Sequence, residues 1–184
     1  HARSCEKVLN RHRALLKPAV IEALSSVRFL QTSSRDVVAP EDAYLRNPIT
    51  EACLGKAALF PMGPNVAFYT LLGCKREPSA QDIVTYLAHL RAHSQQPDQV
   101  ETLFKTLQRR LKPDRVNVGA LATEEILWTN RGWASPALTL VGSTAPRALR
   151  DFLPTAPHVV EAAYEAMGAR STPNAEHWRQ FFVL

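Results

Sequence analysis

Apolar residues recur at helical spacing through most of the chain, and the pattern is broken at Pro, Gly and short Ser/Asn/Asp clusters. Residues 2–16 place Cys5, Val8, Leu9, Leu15 and Leu16 on one side of a helix, and Arg3, Lys7 and Arg11, four apart, on another. Pro18 removes an amide and clashes with the preceding turn, so a second helix over 18–26 is expected to start there, with proline in its first turn. β-forming residues at 27–32 and 37–39 flank Ser33-Ser34-Arg35-Asp36, which reads as a short hairpin. A short helix over 48–54 follows, then a helix opened by Pro64 and ended by Gly73, because glycine enters the left-handed C′ conformation without steric cost. Ser79 caps the next helix, with Asp82 at its third position, and Ile83, Tyr86, Leu87 and Leu90 form its buried stripe. Val100, Leu103, Phe104, Leu107 and Leu111 give the following helix its i, i+3, i+4, i+7 face. Residues 126–129 and 133–135, about the turn Asn130-Arg131-Gly132, predict a second hairpin. Three more helices are expected: 145–152 with Pro146 at its first position, 157–167 closed by Gly168, and a last one capped by Asn174.

These elements come in the same order twice. Phe60-Pro61, Pro64, Leu72-Gly73 and Pro78-Ser79-Ala80 match Leu153-Pro154, Pro157, Met167-Gly168 and Pro173-Asn174-Ala175, at offsets of 93 for the proline and 95 for the glycine. The segment 32–40 likewise has a counterpart in 129–136. A period of this length indicates one structural unit used twice, and the two-residue difference reads as one helix-length adjustment. Two hairpins this small cannot bury a face alone, so helices must cover them. The expected fold is therefore α+β and mostly helical, with two tandem helix–β-hairpin–helix–helix units over 1–96 and 97–184.

Composition narrows the class. At 184 residues with 46% hydrophobic content the chain can bury a core of its own. Its apolar runs are far shorter than the roughly 20 residues of a membrane helix, so no membrane partner is expected. Cys5, Cys53 and Cys74 are widely spaced and include no CxxC pair, which argues against a disulfide framework or zinc knuckle and fits a reducing compartment. The missing start methionine and the ending Phe181-Phe182-Val183-Leu184 read as a piece of a longer polypeptide. The net charge of +5 lies wholly in residues 1–35, which carry seven Lys/Arg against two acids. Arg3, Lys7 and Arg11 thus form either a solvated helix face or a stripe that takes a polyanion.

Candidate chemistry is sparse. His89 and His93, at i and i+4, could share a metal, but no third ligand is apparent and no metal site is assigned. His12, on an apolar face, and His158, beside a helix start, read as packing residues. The seven glycines are isolated, with neither GxGxxG nor GxxxxGK[ST], so no nucleotide or other cofactor is expected. No GxSxG elbow occurs, and the serines fall in turns and caps; no catalytic residue is assigned. The second hairpin holds the one interaction candidate of mixed chemistry: Trp128 and Trp133 flank Arg131. Such a group can hold a peptide or an unstacked base by stacking and cation–π contact, or can pack across the strands.

The run Phe29-Leu30-Gln31-Thr32-Ser33-Ser34, with Val38-Ala39-Pro40-Glu41-Asp42-Ala43-Tyr44 and Asn47-Pro48, resembles a segment of sacsin-type repeats, large chaperone-related proteins with histidine-kinase-like ATPase modules. Leu72-Gly73 with Pro78-Ser79 and Asp82-Ile83 is similar to a helix start of those repeats, and the 127–136 hairpin to one of their hairpins. The resemblance implies a non-ATPase part of such a protein: a non-enzymatic scaffold in protein folding and quality control in the cytoplasm. Its partners would be proteins, namely other domains of the same chain, chaperones or clients. The alternative from the residues themselves is a nucleic-acid-binding module that uses Arg3, Lys7 and Arg11 together with Trp128, Arg131 and Trp133.

Overall fold

The computed structural model describes residues 2–142 and 144–183; of the apolar ending, Leu184 lies outside the described residues. The fold is mostly helical α+β, with two small antiparallel hairpins. Contacts divide the chain into compact units between Pro78 and Ser79. This differs from the 96/97 boundary expected from the repeat. The helix that follows Ser79 packs its buried stripe against the helix after it, so contacts assign it to the second unit.

The first unit contains α1 (Ala2–Arg11), α2 (Pro18–Ser25), β1 (Leu30–Gln31), β2 (Val37–Val38), α3 (Pro48–Leu54) and α4 (Val66–Leu71). Leu30 pairs with Val38, and a 3₁₀ turn, Pro40–Asp42, follows the hairpin. Side-chain caps start the short helices: Asn47 accepts from the Thr50 amide and Asn65 from the Phe68 amide. The core lies where the hairpin meets α4, around Phe29, Leu30, Leu45, Phe68 and Leu72.

The second unit contains α5 (Ala80–Ala92), α6 (Val100–Leu111), α7 (Val118–Leu121), β3 (Leu127–Thr129), β4 (Gly132–Ala134), α8 (Arg147–Phe152), α9 (Glu161–Ala166) and α10 (Ala175–Val183). Leu127 pairs with Ala134, Trp128 with Trp133, and the 3₁₀ turn Pro136–Leu138 follows. Ser79 and Asp82 form a reciprocal capping box on α5. The helix expected over 157–167 is instead a 3₁₀ turn, His158–Val160, leading into α9, and Pro146 stands at the cap of α8 rather than at its first turn.

The two units repeat one hydrogen-bond frame. After each 3₁₀ turn the chain runs extended and is gripped from both sides. In the first unit Tyr44 N donates to Leu59 O at 2.9 Å, Leu45 N to Lys75 O at 2.8 Å, and Lys75 N to Ala43 O at 2.9 Å. In the second, Leu140 N donates to Pro154 O at 2.9 Å, Val141 N to Arg170 O at 3.0 Å, and Arg170 N to Thr139 O at 3.2 Å. The helices before this rung close alike. Gly73 (φ 91°) and Gly168 (φ 107°) donate to Thr70 and Glu165, while the next amides, of Cys74 and Ala169, reach back to Tyr69 and Tyr164. That pair of bonds is the Schellman arrangement, and it needs the left-handed residue that glycine supplies.

The frame also corrects the sequence register. Leu30 matches Leu127, Pro40 matches Pro136, and Leu59, Tyr69, Gly73 and Lys75 match Pro154, Tyr164, Gly168 and Arg170, so the offset falls from 97 to 96 to 95. The match of Phe60-Pro61 to Leu153-Pro154 was two residues out. One residue is lost in the hairpin turn and one between residues 45 and 59; α4 and α9, residues 66–71 and 161–166, have the same length.

Candidate interaction surfaces

In the second hairpin, Trp128 and Trp133 are cross-strand partners, so their side chains share a face. Their rings meet edge to face, 5.4 Å between centroids and 73° apart. Both are half-buried, and the Trp133 indole N–H donates to Gln95 O at 3.2 Å. Arg131 does not lie between them: its guanidinium donates to the carbonyl of Asp151. Below the hairpin, the buried Tyr164 hydroxyl donates to Trp128 O at 2.6 Å, and burial holds its phenol well above the ordinary range. The rings therefore brace one another and the unit beneath them, which is the packing alternative.

The basic stripe of α1 belongs to the first unit. Arg3 and Lys7 line a cavity of about 260 Å³ together with Glu6, Asn10, Met62 and Tyr69, and the Arg3 guanidinium reaches the Met62 sulfur at 2.6 Å. The Tyr69 hydroxyl donates to the Glu6 carboxylate and accepts from Gly63 N at 3.1 Å; burial, then Glu6, raise its pKa. Burial, and after it Glu6, also push the Cys74 thiol up to about 12. Arg11, a turn further on, is exposed.

His89 and His93 meet at 3.2 Å between their Nδ1 atoms, and His93 Nδ1 lies 2.8 Å from His89 O. Among the described residues, no group of three or more His, Cys, Asp or Glu is arranged to hold a metal. His12 and His158 are exposed, not packed; His158 stands 3.2 Å from Glu161. The sequence reading missed the buried histidine, His177. It occupies the third position of α10 and accepts from the Asn174 amide at 3.2 Å, while its own amide donates to Asn174 Oδ1 at 3.1 Å. This repeats the capping box of Ser79 and Asp82, with imidazole in place of carboxylate. A cavity of about 710 Å³ in the second unit is lined by Arg147, Arg150, Asp151, His158 and Glu161. Two arginines, Arg147 and Arg150, stand there with two carboxylates, Asp151 and Glu161: Arg147 lies 3.6 Å from Asp151 and His158 3.2 Å from Glu161, while the buried Arg150 Nε has no hydrogen-bond partner.

A further surface was missed. On α10, His177 faces inward and Phe181 packs on Leu140, Ala145, Leu149 and Leu153, while Trp178 is 39% and Phe182 76% exposed. The Trp178 and Phe182 rings lie nearly parallel, 23° apart. The i, i+4 aromatic pair was visible in the sequence, but nothing there says which side of the helix is covered. No helix of the described residues is long and apolar enough to cross a membrane. No family model matches the chain, and neither a curated protein nor a solved structure matches it.

Proposed function

We propose that the chain is a non-catalytic scaffold segment of a cytoplasmic, sacsin-like, chaperone-related protein, and that it works by presenting surfaces to protein partners. The observation that carries this reading is where the polar side chains are spent. Asn47 and Thr144 hold the carbonyls of Arg76 and Ser171 at 2.7 and 2.6 Å, the Ser79–Asp82 and Asn174–His177 pairs cap helices, and Thr32 and Thr129 bond across their hairpin turns. These groups fix backbone; none converges on a point where a substrate atom could sit. Once the two indoles engage each other, the nucleic-acid alternative rests on Arg3, Lys7 and Arg11, and a steep salt dependence of single-strand binding would be its signature.

The test is an aggregation assay with a heat-labile reporter enzyme, followed by light scattering, with and without ATP. Scattering suppressed equally in both, with no phosphate released, is the expected result. Phosphate release that copurifies with the chain would overturn the non-catalytic reading, and unchanged scattering would overturn client binding.

A further inference from the structure

The charge balance of the chain beyond residue 35 conceals one local excess. Between Gln108 and Val118 stand Arg109, Arg110, Lys112 and Arg115 against a single acid, Asp114. The fold occupies that acid elsewhere: its carboxylate accepts from the Ala80 amide at 2.6 Å, at the start of α5, and pairs with Arg110 at 2.9 Å. Arg109, Lys112 and Arg115 are exposed and have no carboxylate partner among the described residues; Arg109 reaches the Thr106 hydroxyl at 3.3 Å.

The three cations line one cavity of about 680 Å³, between the end of α6, the first residue of α7 and the last of α9. Its apolar lining is aliphatic, from the buried Leu111, the half-buried Val116 and Val118, and Ala166. Among the described residues no acid and no aromatic ring lines it. Arg109, in the last turn of α6, and Lys112, at its cap, stand where a helix favours cations, beside its carbonyl end.

Arg115 lies past that end, and the dipole does not account for it. It is left-handed (φ 52°), its amide donates to Lys112 O at 3.1 Å, and the next amide, of Val116, donates to Leu111 O at 3.0 Å. This is the closure for which α4 and α9 use Gly73 and Gly168, so an arginine here takes a conformation that glycine takes without steric cost. Ser94 (φ 53°) closes α5 in the same way, so such strain marks no site by itself. At Arg115 it coincides with a cavity whose charge the fold leaves unmatched.

We propose that this cavity binds an acidic peptide segment of a partner protein: an aliphatic side chain enters against Leu111, Val116 and Val118, and carboxylates on either side of it meet Arg109, Lys112 and Arg115. This names the chemistry of the partner that the scaffold reading requires, and rests on that reading. Guanidinium groups hold carboxylates by two parallel charge-assisted hydrogen bonds. A nucleic-acid strand carries the same charge, but an aliphatic lining gives its bases no ring to stack on.

The test is fluorescence anisotropy of a short labelled peptide, one leucine flanked on each side by two glutamates, titrated with the full chain. Saturable binding is expected, weakened about tenfold by the double change Arg109→Ala and Lys112→Ala. Serine in place of the peptide's leucine should also cost about tenfold. Arg115→Gly should weaken binding several-fold and yet raise the urea midpoint, because it relieves the left-handed residue; weaker binding with higher stability is a pairing that damage to the fold cannot produce. No saturable binding would overturn the site, as would binding that Arg115→Gly leaves unchanged. So would a serine peptide that binds as tightly as the leucine one, which would mean a charged surface without a pocket, or a single-stranded oligonucleotide of matching charge that binds more tightly than the peptide. Any of these can occur with reporter scattering suppressed and no phosphate released, and then the site falls while the scaffold reading stands.

Discussion

The two units keep one frame and fill it with different side chains. Tyr69 and Tyr164 begin the same closing turn, yet the first gives its hydroxyl to a carboxylate on α1 and the second to a backbone carbonyl of β3. Phe68 is replaced by Ala163, both buried, while the aromatic volume in the second unit comes from Phe104 on the neighbouring helix. Asp82 and His177 cap by the same geometry with opposite acid–base character. What is common is backbone direction, set by the extended rung, the Pro-led 3₁₀ turn and the glycine closure. What varies is volume and polarity, which can be exchanged between neighbouring helices as long as the space is filled.

If that division is right, changes to shared positions should cost both units alike, and changes to fillings should not. The largest effect is expected from Tyr164→Ala, which empties a fully buried ring site; roughly 3–5 kcal/mol should be lost in urea denaturation. Next, Gly73→Ala and Gly168→Ala should each destabilise by about 1–2 kcal/mol. A new Cβ meets only ordinary contacts there, Ser25 Cβ at 3.7 Å and Ala122 Cβ at 3.7 Å, so the whole cost is the positive φ, and stabilisation at either site would break the equivalence of the closures. Ser79→Ala and Asn174→Ala should each cost about 1 kcal/mol, read as earlier fraying of α5 and α10 by amide exchange. The smallest effect separates the caps by pH. Burial and then the Arg170 charge lower the pKa of His177, with Glu176 opposing them, so the unfolded chain takes up a proton first. Stability of α10 should therefore fall as pH drops below the ordinary histidine value of about 6.5, levelling off below the lowered one. Amide exchange across that range should show the loss in the parent and none in His177→Gln.

The frame was largely legible because its markers are residues with special backbone demands. Pro40 and Pro136, Gly73 and Gly168, and the caps Ser79 and Asn174 all stand where the sequence put them. The register was less legible. Prolines can shift by a residue or two without changing their appearance in sequence, so Pro154 aligned with Pro61 although the hydrogen bonds match it to Leu59. The compact boundary was missed because an amphipathic stripe tells that α5 is buried and not against which neighbour. For the same reason Arg131 was placed beside tryptophans that it does not face, and His177 went unnoticed: a capping imidazole has no periodicity to betray it.

The rung that grips residues 43–45 and 139–141 also sets an order of events. Its last strand partner arrives about thirty residues after the segment it holds, at Lys75 and Arg170. Neither rung can close until the intervening chain, with its two short helices, has been laid down, and closure of a loop that size costs little more than closure of one half as long. On a ribosome the first rung has every residue it needs once Arg76 has emerged, before α5 exists. The first unit can therefore be finished by the time the second begins, as domains that fold one after another during synthesis are.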